Sequence, residues 1–137
     1  MNDANNPFDV VVIGGGPAGV AAAVALAQAG AKTGLIARRV PYADNRTTAL
    51  LGATVDFLER LEVWPRCRDQ AAPLQTMRLV DDTGRLIRAP EVKFSSQEIG
   101  LDQFGYNIQN RALMLALEQR AAEFASLTRF DDEAEAI

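Results

Sequence analysis

The sequence contains no histidine. That removes Ser-His and Cys-His nucleophile–base pairs and every histidine metal ligand. If this chain does chemistry, a bound cofactor is expected to carry it. It contains one cysteine, Cys67, so no internal disulfide framework can form, and a reducing, cytoplasmic setting is the natural expectation. Cys67 stands between Arg66 and Arg68, which would favour a thiolate, but with no histidine to act as base a spectator thiol is the simpler reading. Basic residues are outnumbered, 14 against 18 acidic, for a net charge of −4, which does not suggest a nucleic-acid partner. Residues 1–9 hold no Lys or Arg, so a secretory signal lacks its positive start. The uncharged run between Asp9 and Lys32 superficially resembles a membrane span, but four glycines and Pro17 interrupt it after a few apolar residues.

What is present fits one soluble domain. The 137 residues suffice for a real core, and 48% hydrophobic with 23% charged residues is ordinary globular composition. Phe8 to Ile13 is a continuous, valine-rich apolar run ending at glycines, which predicts a buried strand. Pro17 to Ala29 predicts a helix, with proline in its first turn and Gly30 as a stop. That helix is apolar almost all round, so it should be packed on more than one side. Thr33 to Ala37 predicts the next strand and completes a βαβ unit. Val40 to Arg46 reads as a loop, with Thr47 or Thr48 capping a helix whose apolar stripe includes Leu51, Val55 and Leu58 and which Pro65 stops. Met77 and Leu79, the turn at residues 81–84, and Leu86 with Ile87 read as a β-hairpin. The stretch from Ala89 to Phe104 has no clear pattern; Gly105 to Ile108 reads as a strand. Asn110 is expected to cap a helix carrying Leu113, Leu117, Ala121 and Phe124. Residues 131–137, with four acids, read as a solvated tail.

The first strand and helix meet at Gly14-x-Gly16-x-x-Gly19. Gly14 makes the tight turn, Gly16 lets a pyrophosphate approach the backbone, and Gly19 lets helix and strand lie close. The helix N-terminus adds free N–H groups and a positive dipole end. The pattern is weak alone, but inside a βαβ unit it predicts a dinucleotide site. Which dinucleotide stays open at this level. The usual acid at the end of the second strand, which holds the adenosine ribose, is replaced by Ala37, followed by Arg38 and Arg39. Two arginines could accommodate a 2′-phosphate, hence NADP, or Arg38 could contact the adenosine part of another dinucleotide.

Taken whole, residues 9–30, with "GGGPAG" at their centre, resemble the start of FAD-dependent aromatic hydroxylases and monooxygenases of the p-hydroxybenzoate hydroxylase type. "DNRTTALLGATVDFLERLEVW" is similar to the segment after the second strand in the ubiquinone-biosynthesis hydroxylases, where a D-x-R-x-x-A-L pattern opens a helix near the flavin; Asp44, Arg46, Ala49 and Leu50 fit it. "FGYNIQNRALMLALEQRA" resembles a further stretch of that family, with Leu113 and Leu117 as its helix pair. The resemblance runs from about Phe8 to about Phe124.

It implies an α/β fold, the N-terminal part of a Rossmann-like FAD-binding domain over residues 1–130, with 74–108 contributing to a substrate-side β layer. FAD's pyrophosphate would lie on Gly14, Gly16, Pro17, Ala18 and Gly19, with Arg38, Arg46 and Gln109 as further cofactor contacts; Asn110 is the other polar residue there, already accounted for as a cap. It implies FAD as cofactor, NAD(P)H as reductant, and dioxygen and a small phenolic substrate as reactants, and it leaves peripheral membrane or multi-enzyme association open. No catalytic acid or base is identified. The family's second flavin motif and remaining strands lie downstream of the matched part, so the expectation is an N-terminal fragment that holds FAD weakly or not at all by itself. An NADP-dependent oxidoreductase and a non-catalytic binding protein on the same fold are the alternatives.

Overall fold

The computed structural model of the chain describes residues 7–39 and 45–135. Strand β1 (Val10–Ile13), helix α1 (Pro17–Gln28) and strand β2 (Thr33–Ile36) form the expected βαβ unit. β1 and β2 pair in parallel, Val10 opposite Thr33 and Ile13 opposite Ile36. Helix α1 buries Val20, Ala21, Ala23, Val24 and Ala27 and packs on the sheet on one side and on a later helix on another. Its near-uniform apolar surface thus has the expected two partners.

The next segment departs from expectation. Thr47–Leu51 is a strand, β3, and Leu51, not a threonine, is the N-cap of helix α2 (Gly52–Arg60). The reason is pairing at a distance: β3 runs antiparallel to β7 (Gly105–Gln109), Thr47 opposite Gln109 and Leu51 opposite Gly105. β-branched threonines suit a strand at least as well as a cap. Pro65 does not stop α2 either. The helix closes at Leu61, Glu62 takes a left-handed backbone (φ 59°), and Pro65 sits in the first turn of a short 3-10 helix, Trp64–Arg66. β4 (Ala71–Pro73) pairs with the other edge of β7.

The hairpin exists but with a different second arm. β5 (Thr76–Leu79) pairs with β6 (Val92–Ser95), not with Leu86 and Ile87. Met77 faces Phe94 and Leu79 faces Val92, so the apolar alternation is matched across the strands. Arg78 donates to both carboxylate oxygens of Glu91 at 2.8 Å. Leu86 and Ile87 are consecutive rather than alternating, and they stand fully exposed in the connection. Asp81 accepts the N–H groups of Thr83 and Ala89 and folds that connection on itself.

After a 3-10 turn (Ser96–Ile99) and β7, helix α3 (Asn110–Ala121) follows. Gln109 is its N-cap and Asn110 its first residue, so Asn110 is not the cap the sequence suggested; its Oδ1 instead accepts the Thr48 hydroxyl at 2.5 Å. Phe124 lies beyond the helix end, half-buried against the core. Leu127–Phe130 then forms β8, a strand parallel to β2 with Thr33 opposite Leu127 and Ile36 opposite Phe130. The parallel sheet therefore has the order β1-β2-β8. One of its faces is covered by α1 and α3, whose Leu113, Met114 and Leu117 are buried with Leu35 and Val24. Among the described residues, no helix is long and apolar enough to cross a membrane.

Candidate functional site

The turn between β1 and α1 is shaped by steric necessity. Gly14 has φ 123°, a conformation that side chains resist, and its N–H donates to the Ile36 carbonyl at 3.0 Å, tying the turn to the end of β2. A Cβ on Gly19 would press into the Gly14 carbonyl oxygen, well inside contact distance, and would lie 3.0 Å from its carbon. Only glycine lets the first turn of α1 cross the strand end there. A Cβ on Gly16 would meet nothing within 4 Å. Packing does not require glycine at 16, so the space above it is open to a ligand. Gly16 caps α1 with no side-chain bond and Pro17 follows; the N–H groups of Ala18 and Gly19 have no carbonyl partner within the helix. The remaining glycine, Gly15, is confined: its Cβ would come 2.7 Å from the Ala37 side chain.

This turn forms one wall of a cavity of about 740 Å³. Gly14, Gly16 and Pro17 line it together with Ala37 and Arg38 at the end of β2, Arg46 before β3, and Asn110 and Met114 on α3. Arg46 is carried there by a backbone bond, its carbonyl accepting the Asn110 N–H at 3.0 Å. Of the sequence-predicted contacts, Gly14, Gly16, Pro17, Arg38 and Arg46 thus share one cavity. Ala18 and Gly19 lie in the adjoining helical turn. Gln109 is not brought in: it is exposed at the end of β7, paired with Thr47, and the following residue, Asn110, faces the cavity in its place. Asp44, the acid of the D-x-R pattern, lies outside the described residues.

One contributor was not foreseen. Asp132, Glu133, Ala134 and Glu135 also line the cavity. They arrive there because β8 runs alongside β2: the Ala37 N–H donates to the Phe130 carbonyl at 3.0 Å and the Arg39 N–H to the Asp131 carboxylate at 2.6 Å. Glu133 pairs with Arg38. The acidic stretch remains exposed, but it borders the site rather than trailing into solvent. No strand signal stands in the local sequence: Leu127 and Phe130 are three positions apart, without the period-2 alternation of a strand, and fit a helix end equally well.

The open space over Gly16 and the unbonded N–H groups of the helix start fit a phosphate-bearing ligand, with Arg46 on the same cavity lining and Arg38 there paired with Glu133. Cys67 has no part in this. It is buried in the core, its Sγ 3.7 Å from the Val63 and Trp64 carbonyls, and burial pushes its thiol up to about 11. Its flanking arginines are occupied elsewhere, Arg66 with Glu123 and Arg68 with Asp69. Cys67 is expected to resist a thiol reagent at pH 8 in the native chain and to react once per chain after denaturation. Because folding raises its pKa, the stability it contributes is intact below its ordinary value of 9.0 and lost as pH climbs through about 11. Alkaline melts should show that loss, and a Cys67→Ala chain should lack that component.

Comparison with known proteins bears on the same residues. A family model described as "FAD binding domain" matches residues 7–136. A 33-residue stretch is 58% identical to a NADH dehydrogenase of Bacillus subtilis (strain 168), covering 24% of this chain and 6% of that protein. Among solved structures, p-nitrophenol 4-monooxygenase PnpA of Pseudomonas putida DLL-E4 superposes with a TM-score of 0.71 at 18% identity, over 93% of this chain and 33% of its own. The flavin-dependent monooxygenase PieE, solved with FAD and substrate, superposes with a TM-score of 0.67 at 22% identity, over 91% of this chain and 24% of its own. PqsL of Pseudomonas aeruginosa, described as a probable FAD-dependent monooxygenase, gives 0.65 at 17% identity, over 91% and 33%. These likenesses establish the fold, and the chain spans about a third or less of each of these structures.

Proposed function

The chain belongs to the FAD-binding domain family, matched over residues 7–136, and from that premise we propose that it holds the ADP half of FAD within a flavin-dependent monooxygenase. The observation that carries this is the unfilled space over Gly16 at the start of α1, in a cavity that Arg38 and Arg46 also line. Gly14 to Gly16 supply close backbone approach, and the Ala18 and Gly19 N–H groups supply donors for the pyrophosphate. Arg46 offers a fork of donors to a phosphate oxygen. Arg38 stands at the ribose end, next to Ala37. Asn110 takes the place first given to Gln109.

When bound, FAD would supply redox chemistry, with NAD(P)H as reductant and dioxygen as oxidant. This chain's residues bind and orient one end of that cofactor, and no residue is assigned a proton transfer. Residues 1–130 serve as the partial FAD domain, and strands between 74 and 108 contribute a β layer on the substrate side. The finer reading is ring hydroxylation of a small phenolic substrate in ubiquinone biosynthesis, in the cytoplasm. Its support is the D-x-R-x-x-A-L pattern of Asp44, Arg46, Ala49 and Leu50.

The binding reading is tested by titrating FAD, ADP and FMN into the 137-residue chain and following flavin fluorescence or heat. Saturable FAD binding at micromolar concentrations, displaced by ADP, is expected. FMN, which lacks the ADP half, should bind at least roughly tenfold more weakly, a difference of about 1.4 kcal/mol. Equal affinity for FMN and FAD would overturn the assignment of the cradle to the ADP half. The flavin should exchange freely rather than co-purify in stoichiometric amount, because the cradle holds only one end of it.

A further inference from the structure

The βαβ unit lacks the acid that ordinarily ends its second strand and binds the adenosine ribose; Ala37 occupies that place and Arg38 follows. A basic residue there is the usual accommodation for a 2′-phosphate. In the folded chain, however, Arg38 is not presented alone. β8 lies parallel to β2 and ends beside Ala37, and three residues beyond β8 Glu133 pairs with the Arg38 guanidinium on the cavity wall. Asp131 and Asp132 hold this stretch of backbone in place, Asp131 by accepting the Arg39 N–H at 2.6 Å and Asp132 by accepting the Glu133 N–H at 2.8 Å.

We propose that Glu133 is a specificity determinant of the site, supplying from the end of β8 the carboxylate that β2 lacks, so that the cavity selects an unphosphorylated adenosine ribose over a 2′-phosphorylated one. This rests on the assignment of the cavity to a dinucleotide. Both side chains are more than half exposed, so the pair adds little to stability. Its effect is on ligand choice. Glu133 cancels the charge that Arg38 would offer to a 2′-phosphate and places a like charge beside that position. A free ribose hydroxyl, neutral and able to donate, meets no such penalty. Arg38 and Glu133 lie 95 positions apart in the sequence, so the arginine reads as an NADP mark until the strand order brings the acid to it.

ADP-ribose and 2′-phospho-ADP-ribose, titrated by calorimetry, separate the possibilities. The native chain is expected to favour ADP-ribose at least tenfold. Glu133→Gln should narrow that ratio roughly fivefold to tenfold, the size expected for one surface charge removed, mainly by strengthening 2′-phospho-ADP-ribose. Adding Arg38→Gln to Glu133→Gln should abolish the gain. A ratio unchanged in Glu133→Gln, or a gain that survives Arg38→Gln, overturns the proposal while leaving the site intact. If neither FAD nor ADP-ribose binds the native chain, the dinucleotide assignment fails and this inference with it. Both substitutions are at exposed positions, and coincident thermal melts will show that the variants remain folded.

Discussion

Gly19→Ala is expected to lower the melting temperature of the chain by about 10 °C and to abolish FAD binding. A single methyl has this effect because of what it meets. The Cβ would be driven into the Gly14 carbonyl oxygen and would lie 3.0 Å from its carbon, and both atoms are backbone. A flexible side chain could swing aside; a strand end cannot. Gly14 is itself fixed by its N–H bond to Ile36 and by φ 123°, so the adjustment must come from α1. Moving the start of α1 disturbs Val20, Ala23 and Val24, all fully buried between the sheet and α3. Overpacking in a core costs about 1–3 kcal/mol, occasionally more, and a backbone-to-backbone clash belongs at the upper end. About 3 kcal/mol corresponds to about 10 °C for a domain of this size and is a large fraction of a typical folding free energy. Thermal unfolding followed by circular dichroism measures it. A melting temperature within a degree or two of the native value would mean that α1 does not cross β1 at Gly19.

The contrast between Gly19 and Gly105 shows why part of the fold can be read in the sequence and part cannot. Gly19 belongs to a pattern whose geometry is complete within a few residues, so strand, turn and helix could be assigned where they stand. Gly105 is as confined, its Cβ directed into the Leu50 carbonyl of β3, but the pairing that confines it spans more than fifty residues. Nothing near Gly105 announces it. The same distance hid β3 itself: Thr47 and Thr48 fit a cap or a strand, and only β7 decides. β8 was hidden in the same way, since its four residues become a strand by lying beside β2. In the hairpin, the apolar alternation of Met77 and Leu79 was legible, but the choice between Leu86–Ile87 and Val92–Phe94 as partner depended on register, which a local pattern does not carry. The site divides along the same line. The glycine turn from Gly14 to Gly19 was legible where it stands, because its geometry is local. The cavity wall at the end of β2 was legible only as Ala37 and Arg38, because Glu133 arrives from beyond β8. That Asn110 rather than Gln109 lines the cavity follows from one residue of phase at the start of α3.

Gly16→Val is the complementary experiment, and its expected result is the reverse: binding lost with the fold retained. Gly16 has φ −74° and ψ 174°, an extended conformation open to any residue and well suited to a β-branched one. Its Cβ would meet no atom within 4 Å. As the N-cap of α1 it contributes no side-chain bond, so replacement should cost no more than about 1 kcal/mol and shift the melting temperature by no more than about 4 °C. The added atoms would project into the space that a pyrophosphate is proposed to occupy, at the α1 N-terminus. They would hold the phosphates away from the Ala18 and Gly19 N–H groups at the range where charge-assisted bonds gain their strength. Loss of two such bonds, at about 1.5–3 kcal/mol each, predicts at least a hundredfold weaker binding of FAD and ADP, by fluorescence or calorimetric titration. The pair of variants separates stability from binding within one turn. Gly19→Ala should fail in both assays, whereas Gly16→Val should fail in one. A Gly16→Val chain that bound FAD normally would show that the phosphates do not rest on this turn. The donors would then have to be sought elsewhere on the cavity lining, at Arg46 and Asn110.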